Sequence, residues 1–453
     1  MIKRWISDEL QNWKTRKNRK PLILRGARQV GKTTIVKQFS HGFDAFIYLN
    51  LELKSNKNIF EKTDDIHKII NEIFIQFNII DPSQKILIFI DEIQESQKAI
   101  NLLRYFYEEY PALYVIAAGS LLEFALKDTN RIPVGRVEYL VVHPINFAEY
   151  LRKSNAKAYQ AFNQVPYNET AYEILMKYFH EYALVGGMPE ITANYISSKI
   201  IATCFPLYES ILQTYVEDVE KYSMNKSMQL VIRHIMNFLA YETDKRVTFQ
   251  NFGNSNYKSR EVGEAFNMLQ KAGLLFLIYP TTQQEFPGIQ NFSRSPRLQM
   301  LDTGLVNYKL GLHQELVNID DIANIHKGKL IQHLVVQEYI STQKYPSYTP
   351  MFWVRENKDS NAEVDLVVAS KNMLIPVEIK SGAEGRLRSL HQFMDSCPHF
   401  YAVRLHANKL EIKKLETPKG KPFLLMNLPY FLGTRLNEYI DWFVENNPKP
   451  TQI

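Results

Sequence analysis

Between Leu22 and about Tyr150 the chain alternates short apolar runs with amphipathic stretches. The runs are LILR, FIYLNL, KILIFID, LYVIAAG and VEYLVVH, and the segments between them carry helical spacing. Such runs predict buried strands, and strands separated by helices predict a parallel sheet covered on both faces. From about Leu151 to Lys226 the pattern turns helical and tyrosine-rich, broken once by VGGMPE at Val185 to Glu190. Three further helical segments occupy the stretch from about Met228, followed by GLLFLIYP. QEFPGIQNFSRSPRL, rich in Pro, Asn and Ser, reads as an interdomain connection. From about Ile325 a helix, KGKLIQHLVVQEYIST, precedes EVDLVVASKNMLIPVEIK. The latter reads as a hairpin, with an alternating strand, a polar turn at Ser370-Lys371-Asn372 and a second strand. SLHQFMDSC and HFYAVRL then continue as helix and strand, the order of a second, smaller α/β domain.

Length and composition narrow this only modestly. At 453 residues two to four domains are expected. An apolar fraction of 45% and a charged fraction of 23% are those of a soluble globular chain. The net charge of +6 permits a nucleic-acid or phosphate partner without demanding one. The basic cluster WKTRKNRKP reads either as a solvated helix end before Pro21 or as a nucleic-acid contact. Cys204 and Cys397 have neither metal nor redox spacing. MIKRWISDEL lacks the apolar core of a signal peptide, and no run of about 18 apolar residues occurs, so a cytoplasmic protein without membrane partners is expected.

The strongest chemistry lies in LILRGARQVGKTT. Gly26-Ala27-Arg28-Gln29-Val30-Gly31-Lys32-Thr33 fits G-x-x-x-x-G-K-[ST] at every position, after a strand and before the amphipathic TIVKQF, which begins at Thr34. Glycines let the backbone wrap phosphates closely, with N–H groups aimed inward at a helix amino terminus. Lys32 would reach the β and γ phosphates, and the Thr33 hydroxyl would ligate Mg²⁺. Further on, KILIFIDEIQ delivers Asp91 and Glu92 to the end of a buried strand. Asp91 suits the metal's bound water, and Glu92 is the candidate general base for the attacking water. Ser120, after LYVIAAG, is either a γ-phosphate or water contact or a helix N-cap. Arg136, in VGRVEYL, either supplies transition-state charge, in cis or from a neighbouring subunit, or is an ordinary surface arginine.

GARQVGKTT, IFIDEIQ, AAGSLL, VGRVEYLVVHPINFAEYL, GGMPE, FSRSPRLQMLDTGLVNYKLG, KGKLIQHLVVQEY and EVDLVV…LIPVEIKSG together resemble the AAA-family P-loop ATPases of bacteria and archaea that carry a C-terminal domain of unknown function. The resemblance covers nearly the whole chain and implies ATP as the nucleotide. It also implies that Ser120 senses the γ-phosphate and that Arg136 belongs to a Gly-Arg pair of the family. The segment around Met228 to Pro280 is similar to a winged helix, which in ATPases either binds DNA or packs. The expected fold is therefore α/β: a P-loop NTPase core at 1–150, a helical lid at 151–226, a winged-helix-like module at 227–300, a linker at 301–325 and a restriction-endonuclease-like domain at 326–453.

In that last domain the resemblance implies a metal site made from an acid on the first helix, an Asp on one strand and Glu-x-Lys on the next. Asp365, Glu378 and Lys380 match three elements, but Gln332 stands where a glutamate is expected. A glutamine adds no charge for a hard divalent ion. Glu338, six residues on and roughly 240° around the helix, does not replace it. Three functions follow for comparison: a Mg²⁺-dependent ATPase that switches its attached domains, an ATP-gated nuclease, and a nucleotide-dependent DNA-binding or adaptor protein. A protein client and self-association are compatible with each.

Overall fold

The computed structural model describes residues 2–120, 122, 135–221, 223, 225–314, 329–355, 362–380 and 387–448. It divides into two compact units. The first comprises Met1–Pro144 with two short returning segments, Lys271–Leu274 and Gln343–Ser347. Its elements are α1 (Ile6–Thr15), β1 (Leu22–Arg25), α2 (Lys32–Phe39), β2 (Ala45–Asn50), α3 (Lys54–Glu61), α4 (Ile66–Gln76), β3 (Ile86–Asp91), α5 (Gln97–Glu109), β4 (Tyr114–Ala118) and β5 (Glu138–Val141).

The five strands form one parallel sheet in the order β2-β3-β4-β1-β5. Every residue of β3 is buried, as an unbroken apolar strand requires when helices cover both faces. Ile23, Ile88 and Ile90 pack with Ile69, Leu103 and Phe106 in the core. Leu24 lies beside Ala118, and Ile90 beside Ala117. The segments that leave β1, β3 and β4 therefore emerge together at the carboxyl edge, where open α/β sheets place ligands. The basic cluster is tied to its own unit: the Arg19 guanidinium lies 3.5 Å over the Tyr114 ring, and Arg16 pairs with Glu138.

The second unit contains α6 (Phe147–Ser154), α7 (Ala156–Phe162), α8 (Tyr172–Val185), α9 (Pro189–Ser198), α10 (Phe205–Lys221), α11 (Lys226–Phe238) and α12 (Ser259–Lys271, whose last residue joins the first unit). Next come β6 (Leu275–Ile278), β7 (Pro280–Thr281), β8 (Arg297–Met300), α13 (Thr303–Leu310), α14 (Lys329–Ser341) and β9 (Met351–Val354). The chain ends with β10 (Glu363–Ser370), β11 (Met373–Ile379), α15 (Arg388–Ser396), β12 (Tyr401–His406), β13 (Glu411–Glu416), β14 (Pro422–Pro429) and α16 (Leu436–Asn446). Seven strands run β13-β14-β12-β11-β10-β9-β7, while β6 and β8 pair separately and antiparallel. Lys371 and Asn372 both take positive φ, 47° and 61°, in the two-residue turn joining β10 to β11. That is the twist a tight hairpin demands.

Several boundaries differ from the sequence expectation. The first segment of the first unit ends at Pro144, and residues read as lid, winged-helix module and C-terminal domain fall together in the second unit, except Lys271–Leu274 and Gln343–Ser347. Part of the expected 301–325 linker is α13, capped by the Asp302 carboxylate and buried from Leu301 to Asn307, while 315–328 lie outside the described residues. QEFPGIQNFSRSPRL connects β7, which pairs with β9, to β8, which pairs with β6, so strands of one unit flank it. Local polarity and proline content mark a loop but carry no information on long-range pairing.

Candidate functional site

The loop after β1 is shaped by backbone conformations that few side chains tolerate. Gly26 has φ +142°, and a Cβ there would lie 2.2 Å from the Val142 carbonyl oxygen. Its glycine is thus required by close approach to the chain beyond β5 as well as by any phosphate. Gln29 and Gly31 also take positive φ, 64° and 96°. Ala27 and Val30 turn inward and are buried, whereas Gln29 and Thr34 are exposed. Arg28 pairs with Glu52 at 3.3 Å.

Lys32 is buried, and its Nζ donates to the carbonyls of Gly26 and Ala27 at 2.9 and 2.8 Å. Burial lowers its pKa to about 8, against the pull of Glu92 and Asp91. The Thr33 hydroxyl donates to Asp91 Oδ2 at 2.7 Å, and the Tyr48 hydroxyl donates to the same oxygen at 3.1 Å. Burial raises the pKa of Asp91, and the Thr33 bond opposes that rise. A hydroxyl and a carboxylate meeting beside a buried ammonium fit a hard divalent cation with phosphate oxygens.

Glu92 follows in left-handed conformation, φ 52° and ψ 46°. That conformation costs a non-glycine residue about 1 kcal/mol, and such strain collects at functional sites. The Gln94 side-chain amide donates to Glu92 Oε2 at 2.5 Å. Gly119 makes room for it, since a Cβ there would lie 2.2 Å from Gln94 Oε1. Ser120 is buried at the same edge, just past β4.

Residues 18–151 match a family model described as an AAA domain. Residues 18–151 are an AAA domain. Two domains of unknown function follow, DUF8612 over residues 176–316 and DUF4143 over 327–421. The chain is similar to uncharacterized protein MJ1544 of Methanocaldococcus jannaschii, 25% identical over 362 residues that span 77% of this chain and 72% of that one. It is also similar to MJ1637 of the same organism, 24% identical over 69% of this chain and 66% of that one. Among solved structures, the Walker-type ATPase PABY2304 of Pyrococcus abyssi aligns at 14% identity with a TM-score of 0.44, covering 68% of this chain and 96% of that one. The ORC1 protein of Aeropyrum pernix in complex with DNA aligns at 13% identity with a TM-score of 0.27, over 69% and 91%.

Within the AAA domain Arg136 does not reach its own nucleotide loop. Glu138 lies beside Leu22 and Val141 beside Arg25, so Arg136 precedes the amino edge of the sheet while Gly26 follows the carboxyl edge. At 3.3 Å per residue that separation is about 20 Å. Arg136 is ion-paired with Glu108 of α5, so of the alternatives open for it the cis role finds no support in this geometry.

Two residues absent from the sequence reading brace the loop. Tyr48 comes from β2, whose register with β3 sets Asn50 beside Asp91. Arg4 is buried ahead of α1 and donates to the Val30 carbonyl at 3.0 Å and to the His143 carbonyl at 2.6 Å. Neither carries a motif, and what marks them, burial and strand register, is visible only in the fold.

GGMPE belongs to the second unit. Gly187 N donates to Asp302 Oδ2 at 2.5 Å, and Ile145 N donates to the Gly187 carbonyl at 2.7 Å. A Cβ on Gly187 would lie 2.0 Å from the Ile145 carbonyl oxygen, and one on Gly304 would lie 2.1 Å from the Val185 carbonyl oxygen. The two glycine-bearing motifs, VGGMP and LDTGL, are thus halves of one backbone junction. Beside it Glu338 is fully buried and accepts from Phe147 N at 2.9 Å and Tyr182 Oη at 2.7 Å.

At the C-terminal hairpin Gln332 and Asp365 meet: the Gln332 amide donates to Asp365 Oδ1 at 2.7 Å. Asp365 Oδ2 accepts from Ile379 N at 2.7 Å. Glu378 and Lys380 pair with each other, as their shared strand face requires. Burial, then Asp365, raises the Glu378 pKa to about 8. Among the described residues no helix is long and apolar enough to cross a membrane.

Proposed function

We propose that the protein is a Mg²⁺-dependent ATPase whose nucleotide state changes the arrangement of its attached domains. The observation that carries this reading is the Thr33–Asp91 contact, with Lys32 and Glu92 beside it at the carboxyl edge of a parallel sheet. Bound Mg²⁺ would supply positive charge to the β and γ phosphates, held by Thr33 and by Asp91 through water. Lys32 exchanges its two loop carbonyls for phosphate oxygens, which restores the charge stabilisation that burial removes. The loop N–H groups and the amino end of α2 orient the phosphates. Glu92 accepts the proton of the attacking water, and Gln94 holds its carboxylate in place.

The switching part rests on chain continuity. Gly273 sits in the first unit with its backbone against Ala27 of the loop: a Cβ there would lie 3.1 Å from Ala27 N. Gln343 and Lys344 accept hydrogen bonds there from His143 and Val141. The first of these segments runs directly from α12 into β6, and the second follows α14. A change in loop geometry therefore acts at segments that continue into the other unit. ATP binding and turnover by the full chain test the reading: Lys32→Ala is expected to lose binding, and Glu92→Gln to bind without turning over.

A further inference from the structure

The nuclease-like reading requires a divalent ion near Asp365 and Glu378, and the residues present do not fit one. Arg297, at the start of β8, is 3% exposed and reaches into this cluster. Its Nη1 donates to the Asp365 carbonyl at 2.9 Å, and Nη2 pairs with Glu363 and lies 3.7 Å from Asp365 Oδ1. Its Nε lies 3.9 Å from Asp244 Oδ1, and its guanidinium stands 4.7 Å from the Phe352 ring centroid. Arg246 adds a second cation, 3.7 Å from Glu363 Oε2.

Both carboxylates that a metal would need are therefore already engaged, through at least one oxygen, by a cation or a fixed donor. Asp365 has one oxygen on the Gln332 amide and the other on the Ile379 N–H; Glu378 Oε1 pairs with Lys380, and Glu378 Oε2 is buried without a hydrogen-bond partner. A buried guanidinium cannot leave as a solvated ion can, and it repels a divalent cation brought within a few ångströms at low dielectric. Among the described residues no group of three or more His, Cys, Asp or Glu side chains is placed to hold a metal.

We infer that Arg297 is the permanent cation of this cluster, standing in for a divalent metal, and that the cluster is a metal-independent ion-pair core joining β8 to β10. The chain recruits the counter-charge from a strand far from the hairpin in sequence, which ties the two sheets of the second unit together. Breaking such a buried set by removing one partner leaves uncompensated charge, so its integrity matters to folding whatever its net worth. The inference stands independently of the ATPase reading.

Manganese binding to the nucleotide-free full chain, followed by the loss of the free Mn²⁺ electron paramagnetic resonance signal, tests it. Wild type and Asp365→Asn are expected to give the same titration, with no Asp365-dependent site. A stoichiometric Mn²⁺ in wild type that Asp365→Asn removes would overturn the inference. A second arm restores the acid and removes the cation, in Gln332→Glu with Arg297→Met. This double variant is expected to bind Mn²⁺ at least tenfold more tightly than wild type. If it folds, by circular dichroism, yet binds no better, Arg297 is not what excludes the metal and the inference fails. If it does not fold, the comparison of wild type with Asp365→Asn decides.

Discussion

The side-chain amide of Gln94 donates to the carboxylate of Glu92 at 2.5 Å, across a left-handed turn that aims Glu92 at the carboxyl edge of the sheet. The carbonyl oxygen of the same amide is buried without a hydrogen-bond partner, so the side chain is placed for Glu92 rather than for its own satisfaction. Gln94→Ala is expected to lower kcat for ATP about tenfold while leaving KM within about twofold, because the amide orients the base and does not touch the nucleotide. A rise in KM with unchanged kcat would assign Gln94 to nucleotide binding instead.

Gly187 has no room for a side chain. Gly187→Ala forces a methyl group onto the Ile145 carbonyl and is expected to destabilise the second unit by about 3 kcal/mol. Gly311→Ala supplies the steric contrast, since nothing lies within 4 Å of a Cβ there, although its φ of +69° adds local backbone strain. Urea denaturation of both variants measures the difference. Similar losses for the two would show that the VGGMP–LDTGL junction relaxes.

The nucleotide site was legible in the sequence because its parts are short contiguous strings whose spacing is itself the chemistry. Gly26 to Thr33 and Asp91-Glu92 need only a strand before them to be located. Gln332 was legible for the same reason, as one residue out of pattern in a helix facing Asp365. Tyr48 and Arg297 were not, since strand register and sheet pairing bring them in. The pairing of GGMPE with Asp302 spans 115 residues, so the first glycines read only as a break in a helical stretch and the aspartate as part of a linker. For Arg136 the choice between cis, a neighbouring subunit and an ordinary surface arginine stayed open in the sequence, because its motif gives no sign of which edge of the sheet it occupies.

Glu338 makes the second unit sensitive to pH. Burial raises its pKa to about 8, above the ordinary glutamate value near 4.3. A carboxyl that is easier to protonate when folded contributes stability that is complete below its unfolded pKa and is lost as pH rises through about 8. Glu378, raised to about 8, and Asp302, raised to about 6 by burial, act in the same direction. Buried His313, His333, His399 and His406, whose pKa values desolvation lowers to about 4, act the other way in both proteins, so the expected signature is the difference: Tm of wild type falls relative to that of Glu338→Gln from pH 5 to pH 8. Parallel Tm profiles for the two proteins would remove Glu338 from the account.

ATP turnover by Glu92→Gln, measured beside its nucleotide affinity, tests the central claim most directly. The assignment of Glu92 as general base predicts affinity within about threefold of wild type and turnover reduced by about a hundredfold or more. Turnover equal to that of wild type, with binding intact, would contradict it.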